Sequence, residues 1–165
     1  MDFLAELEAT TFATWVREAP TVWAYPTVLF LHTVGLGFLV GANVAIDLRI
    51  LGAARALPFA PLEKLFPVMW AGFWINALSG TALLIADATT KLTNPVFVIK
   101  MVFVGLGVVN MAWLKRRLFR DQLVPDGITA PAYAKFVAVT SLSLWIAATT
   151  AGRLMGYLGP VSGLE

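Results

Sequence analysis

The sequence predicts an all-α fold: an integral membrane four-helix transmembrane bundle with an N-terminal amphipathic interfacial helix. Three observations predict it. Hydrophobic residues make up 59% of the 165-residue chain and charged residues 13%, whereas a soluble domain carries about a quarter charged residues. The apolar residues gather into four runs, each close to the about 20 residues that carry a helix across a ~30 Å hydrocarbon core. The remaining charges stand between those runs, which makes lipid the solvent the runs are built for.

Residues 1–20 form the first element. Phe3, Leu4, Leu7, Phe12, Trp15 and Val16 recur at roughly helical spacing, with Glu6, Glu8, Arg17 and Glu18 between them. That pattern predicts an amphipathic helix lying on the membrane surface, with covering of the bundle or contact with a partner subunit as equal alternatives. A cleavable signal is not expected, because Asp2, Glu6 and Glu8 stand where a basic region belongs and no apolar stretch follows at once.

Residues 21–165 are read as one transmembrane domain with spans at about 22–46, 66–86, 95–114 and 136–158. Pro26 falls in the first turns of span one, where proline is well tolerated. Turn signals separate the spans: Leu57-Pro58 and Ala60-Pro61, then 87–94, then Pro125-Asp126-Gly127 with Pro131. Neither an internal repeat nor a low-complexity linker is present.

Orientation follows from the basic residues. The loops after spans one and three carry Arg49, Arg55, Lys64, Lys115, Arg116, Arg117, Arg120 and Lys135; the opposite side has Arg17, Lys91, Lys100 and Arg153. The expectation is a multi-pass protein of the bacterial inner membrane with both termini on the periplasmic side. Trp15, Trp23, Tyr25 and Tyr157 then make an outer aromatic belt, with Trp113 and Tyr133 near the inner one. The pI near 9.2 reflects this flanking charge, so no nucleic acid is expected as a partner. The expected partners are the lipid bilayer and either membrane-protein subunits or further copies of the chain.

Small residues recur at four-residue spacing: Gly37 and Gly41 in span one, Gly72, Asn76 and Gly80 in span two, Ala148, Gly152 and Gly156 in span four. Such stripes let helix backbones approach closely; the other reading is that they leave room for a flat cofactor, and spacing does not separate the two.

Several function classes are excluded. With no cysteine, disulfides, thiolate metal sites, iron–sulfur clusters and covalent haem attachment are absent. There is no phosphate-binding Walker sequence and no Rossmann glycine pattern. A Ser–His–Asp triad would have to be built on the one histidine, inside the membrane.

Ionisable groups within spans are costly, so each is a candidate site. His32 is the only histidine and lies roughly 15 Å below the outer surface at ~1.5 Å per residue. Lys100 and Arg153 share its half of the membrane, and Asn76 sits near the midplane. An imidazole is an axial ligand for haem iron, and two shallower cations would pair with haem propionates. The candidate cofactor is therefore haem b, with His32 on the iron and Lys100, Arg153 and Asn76 around it. Alternatively, Lys100 and Arg153 snorkel to the interface and His32 hydrogen-bonds across helices to Asn76 or to the neighbours of Thr33. One chain supplies one imidazole; Met101 is the methionine closest to it in depth but is not well matched, which leaves a five-coordinate haem, a non-histidine second ligand, or a haem shared between two chains. No cluster of histidines or carboxylates is available within the bundle, since Asp47 and Asp87 lie at opposite faces.

Span one reads Leu31-His32-Thr33-Val34-Gly35, then Asp47-Leu48-Arg49-Ile50-Leu51-Gly52. Span two ends in Leu78-Ser79-Gly80-Thr81, span three opens Asn94-Pro95-Val96-Phe97-Val98-Ile99-Lys100, and span four carries Ser141-Leu142-Ser143-Leu144-Trp145 and Ala151-Gly152-Arg153. Over residues 20–160 this resembles the small bacterial membrane proteins related to the CopD-like copper-resistance domain and the HemJ-type protoporphyrinogen oxidases. The resemblance implies haem binding, with His32 matching the span-one histidine and Lys100 the span-three lysine. Asn110 stands where HemJ-type proteins tend to have a further histidine. Copper transfer, implied by the CopD-like relatives, lacks a methionine- or histidine-rich cluster here. The expected function is a haem-b- or quinone-associated redox or electron-transfer protein, whether or not it is itself an enzyme; the alternative is a non-catalytic accessory subunit stabilising a larger membrane complex. A permease is the third reading, with few pore-lining charges behind it.

Overall fold

The computed structural model describes residues 2–53, 56–117 and 130–157. Arg55, Arg120, the 125–127 turn and the last residue of the fourth predicted span lie outside them. Every regular element among the described residues is helical: α1 (Asp2–Glu8), α2 (Thr11–Glu18), α3 (Tyr25–Leu51), a 3-10 turn (Ala60–Lys64), α4 (Leu65–Ala86), α5 (Ala88–Leu92), α6 (Pro95–Lys115) and α7 (Ala132–Leu154). Four of these are long and apolar enough to cross a membrane. Only 11% of the most apolar window of α6 and 33% of that of α7 is buried inside the protein. Side chains such as Phe30, Leu78, Val109, Phe136 and Ile146 are more than 60% exposed. An apolar exterior of that extent is what a bilayer covers, so this is a multi-pass membrane bundle.

The helix ends follow local chemistry. Pro95 opens α6 at the first helical position, and Asn94 caps it by accepting from the Val96 amide at 2.9 Å. Gly52 ends α3 in the left-handed region at φ 105°; its amide reaches the Arg49 carbonyl at 3.2 Å, and that of Ala53 the Leu48 carbonyl at 2.9 Å. The Arg49 guanidinium then lies 4.2 Å over the Phe59 ring, with Nε donating to the Leu57 carbonyl. This arginine, read from sequence only as a topogenic charge, folds the following loop back against α3.

The N-terminal segment is two helices rather than one. Thr10 Oγ1 donates to the Leu7 carbonyl, ending α1, and accepts from the Ala13 amide, starting α2. Ala13 and Val16 of α2 are fully buried. Arg17 donates to the Ala86 carbonyl at the end of α4, and Glu8 accepts from the Thr89 amide of α5. The pair therefore caps one end of the bundle. Phe3, Phe12 and Trp15 stay exposed, as do Trp23 and Tyr25.

Within the bundle α3 pairs with α4 and α6 with α7, and the α3–α7 contact joins the pairs. The α3–α4 crossing is a contact between backbones. A Cβ on Gly35 would stand 2.6 Å from the Asn76 nitrogen, and one on Gly72 would stand 2.7 Å from the Gly35 carbonyl oxygen. The Gly72 stripe of α4 thus packs as small-residue stripes do. The Gly37–Gly41 pair does not: nothing lies within 4 Å of a Cβ at either position. The buried face of α3 runs through Gly35, Leu39, Asn43, Ile46, Asp47 and Ile50, and Gly37 and Gly41 are turned away from it. On the other pair, Trp145 of α7 is buried and rests against Gly107, where a Cβ would meet the indole at 3.1 Å.

Candidate functional site

α4 and α6 are not directly paired, and α3 lies behind the gap between them. The result is a lateral cleft with two joined cavities. The one nearer the α1–α2 end, ≈350 Å³, is lined by Tyr25, His32, Asp87, Lys91, Lys100 and Met155 among others. The deeper one, ≈370 Å³, is lined by residues including His32, Phe73, Asn76, Lys100, Met101 and Val104. His32, Gly80, Leu84, Phe97 and Lys100 belong to both. Each volume falls in the range of small-molecule sites, about 300–1,000 Å³, and few polar groups in apolar walls is their usual composition.

His32 is fixed from two directions. Its Nδ1 lies 3.0 Å from the Asn76 carbonyl oxygen and 3.3 Å from Ser79 Oγ. A carbonyl only accepts, so Nδ1 carries the proton. Ser79 Oγ spends its own proton on the Ile75 carbonyl at 2.5 Å, leaving lone pairs for the imidazole. In return Asn76 Nδ2 donates to the His32 carbonyl at 2.7 Å. Gly80 is the seat of the ring: a Cβ there would stand 2.9 Å from His32 Cε1. With Nδ1 protonated, Nε2 keeps its lone pair, and it has no hydrogen-bond partner among the described residues. A ring nitrogen tied to a carbonyl while the other stays free is the usual arrangement of a metal-ligating histidine.

Lys100 is half-buried and forms neither a hydrogen bond nor an ion pair among the described residues. Its aliphatic stem passes Gly152, where a Cβ would meet Cε at 3.5 Å. Lys91, by contrast, is held at the mouth by Asp87 at 3.2 Å and by the Leu83 carbonyl at 2.8 Å.

The four sequence candidates divide. His32, Lys100 and Asn76 meet at the cleft. Arg153 lies in the last turn of α7, exposed and lining neither cavity. The small residues Gly80 and Gly152 make room for the His32 ring and the Lys100 stem, and both line the cleft. Sequence reasoning missed Ser79 and the role of Gly80; both follow Asn76 on one helical face, the signal that was available. Met101 is on the cleft wall, one residue from Lys100. Among the described residues no three His, Cys, Asp or Glu side chains gather to hold a metal ion.

No family model, no curated protein and no solved structure matches the chain.

Proposed function

We propose that this is a bacterial inner-membrane redox protein that carries haem b in the cleft between α4 and α6, with His32 Nε2 as axial ligand. The observation that carries the reading is the state of His32: Nδ1 is committed to a backbone carbonyl, and Nε2 has a free lone pair at a lipid-open cavity wall. An imidazole outside any cluster of three metal-binding side chains among the described residues holds a metal well only if the metal brings further ligands of its own, as haem does. Phe97, Leu84 and Val104 supply apolar walls. Lys100, without an anionic partner among the described residues, supplies the positive charge for a propionate. Met101 lines the same cavity and would offer a thioether to the group. Arg153 has no part in this version of the site.

When bound, haem supplies one-electron transfer. The chain's own contribution is to hold the imidazole tautomer through Asn76 and Ser79, with Nδ1–H tied to a carbonyl as outer partners tie ligating imidazoles, and to keep bulk water from the deeper cavity with apolar side chains. The basic residues Arg49, Lys64, Lys115 and Lys135 at the end opposite α1 and α2 support an orientation with the termini on the periplasmic side.

The test is the absorption spectrum of the purified protein, reconstituted with haemin where needed. A Soret band that disappears in His32→Ala, with membrane insertion and elution volume unchanged, supports the proposal. The absence of a band, or a band indifferent to His32→Ala, favours an accessory subunit in which His32 is a polar contact between helices. A quinone occupant would appear instead as a band-free protein that co-purifies with extractable quinone.

A further inference from the structure

A second polar cluster lies away from the cleft, at the α3–α7 contact. Asn43 and Asp47, one turn apart on α3, and Ser141 on α7 are each 0% exposed. Asn43 Nδ2 donates to Asp47 Oδ2 at 2.6 Å and to Ser141 Oγ at 2.7 Å. Those two bonds use both amide protons. Asn43 Oδ1 and Asp47 Oδ1 are left buried with no partner. Both are acceptors, so neither can satisfy the other while Asp47 is ionised.

No cation among the described residues compensates. Asp47 forms no ion pair among the described residues. Arg49, on its own helix, is turned to the Leu57 carbonyl and the Phe59 ring. α4 contains no titratable residue at all. The charged residues of α7 are Lys135 and Arg153, in its first and last turns. Those of α6 are Lys115, over the Phe66 ring, and Lys100, at the cleft. An ionised carboxylate in these surroundings has the Asn43 amide and the Ser141 hydroxyl as its only side-chain donors among the described residues. Such a charge is expensive inside a membrane bundle. A single proton removes the whole difficulty, because a carboxylic acid and a primary amide are complementary: each offers one donor and one acceptor on adjacent atoms.

We propose that Asp47 is a proton-binding site. It is held as the neutral acid, its Oδ1–H donating to Asn43 Oδ1 and closing a cyclic acid–amide pair, and this pair joins α3 to α7 through Ser141. The ligand is H⁺, and its route is short, since Asp47 lies about one turn from the end of α3 and the basic loop beyond it. Loss of the proton sets a carboxylate oxygen against Asn43 Oδ1 and loosens the α3–α7 contact. The site is separate from the His32 cleft and does not depend on what the cleft binds.

Infrared difference spectroscopy of the full chain in lipid nanodiscs tests this. The wild-type protein at neutral pH should show the C=O stretch of a protonated carboxylic acid, shifted in D₂O. The band should vanish in Asp47→Asn and persist in Asp87→Asn. Asp47→Asn should also fold and resist unfolding at least as well as wild type, because a second amide completes the same cyclic pair with Asn43; Asp47→Leu should not. A wild-type spectrum without the protonated-acid band overturns the proposal, whatever the variants do. So does a band that survives Asp47→Asn, or an Asp47→Asn chain that fails to fold. A carboxylate band that depends on Na⁺ when choline replaces it also overturns the proposal, in favour of a bound metal cation.

Discussion

His32 and Asn76 clasp each other across the α3–α4 contact: the imidazole Nδ1–H donates to the Asn76 carbonyl oxygen at 3.0 Å, and the Asn76 amide donates to the His32 carbonyl oxygen at 2.7 Å. Each side chain thus bonds the other residue's backbone. The clasp is possible only because Gly35 and Gly72 let the two helix backbones touch one turn away. Close packing and imidazole orientation are therefore one device, and substitutions separate its parts.

Asn76→Leu removes the amide half of the clasp and leaves the imidazole half, whose acceptor is backbone. Interhelical hydrogen bonds in membranes contribute about 0.6 kcal/mol on average and up to about 1.7. A loss of about 1 kcal/mol is expected in unfolding from mild into denaturing detergent, and the proposed haem binding should be only modestly weakened. Complete loss of haem would show that the amide contacts the cofactor itself.

Gly35→Ala and Gly72→Ala should each destabilise the bundle by about 1–3 kcal/mol, the usual range for overpacking a tight contact. The added methyl meets backbone atoms under 3 Å away, which no side-chain rotation relieves. Gly37→Ala and Gly41→Ala meet open space and should leave monomer stability unchanged. Comparing the four variants in one unfolding assay identifies which glycines pack; a drop for Gly41→Ala in crosslinked oligomer alone would mark that face as a contact with another chain.

Gly80→Ala pushes on the His32 ring, whose Cε1 would lie 2.9 Å from the new methyl. The imidazole is the mobile partner, so the fold should survive while the ring proposed as haem ligand tilts. The expected reading is a shifted or broadened Soret band and faster haem loss at unchanged expression. An unaltered spectrum would argue against His32 as the ligand.

Removing residues 1–18 should leave the four membrane helices assembled, since α1 and α2 bury only the small side chains Ala13 and Val16 completely. It also frees the Ala86 carbonyl and the Thr89 amide, now held by Arg17 and Glu8. Hydrogen exchange should therefore accelerate at residues 86–92, with amides of α3 unaffected. Loss of protection throughout the bundle would make the N-terminal pair part of the core.

Periplasmic reporters fused after Lys64 should be inactive, and those fused after Thr93 active. The opposite pattern would reverse the orientation and place the mouth of the cleft at the cytoplasmic surface.

The bundle was legible from the sequence because lipid imposes long uninterrupted apolar runs and turn chemistry marks their ends. The helix starting at Pro95 and the helix ending at Ala86 lie within one residue of the positions read from Asn94-Pro95 and from Asp87. α3 runs five residues past its predicted end at Ile46 and α7 starts four before Phe136, because the expected bounds follow the apolar run and the helices run on beyond it through Asp47 and Arg49, and through Lys135. The break at Thr10 was harder to see, because a threonine that caps one helix and closes another reads as an ordinary polar residue within an amphipathic pattern.

The sequence by itself determined the four apolar helices, the amphipathic character of the N-terminal segment and the presence of one imidazole and one lysine at similar depth. Those are properties of single segments, set by hydropathy and spacing. Only the tertiary structure decided which groups meet. Rotation about each helix axis turned Gly35 and Gly72 inward and Gly37 and Gly41 outward, brought His32 to Ser79 and Gly80, left Arg153 on the surface, and set Asn43 and Asp47 against Ser141. In a chain whose spans are apolar all round, the hydrophobic pattern prefers no face over another. The rotation is chosen instead by backbone contact and by a few buried polar atoms that must find partners across helices.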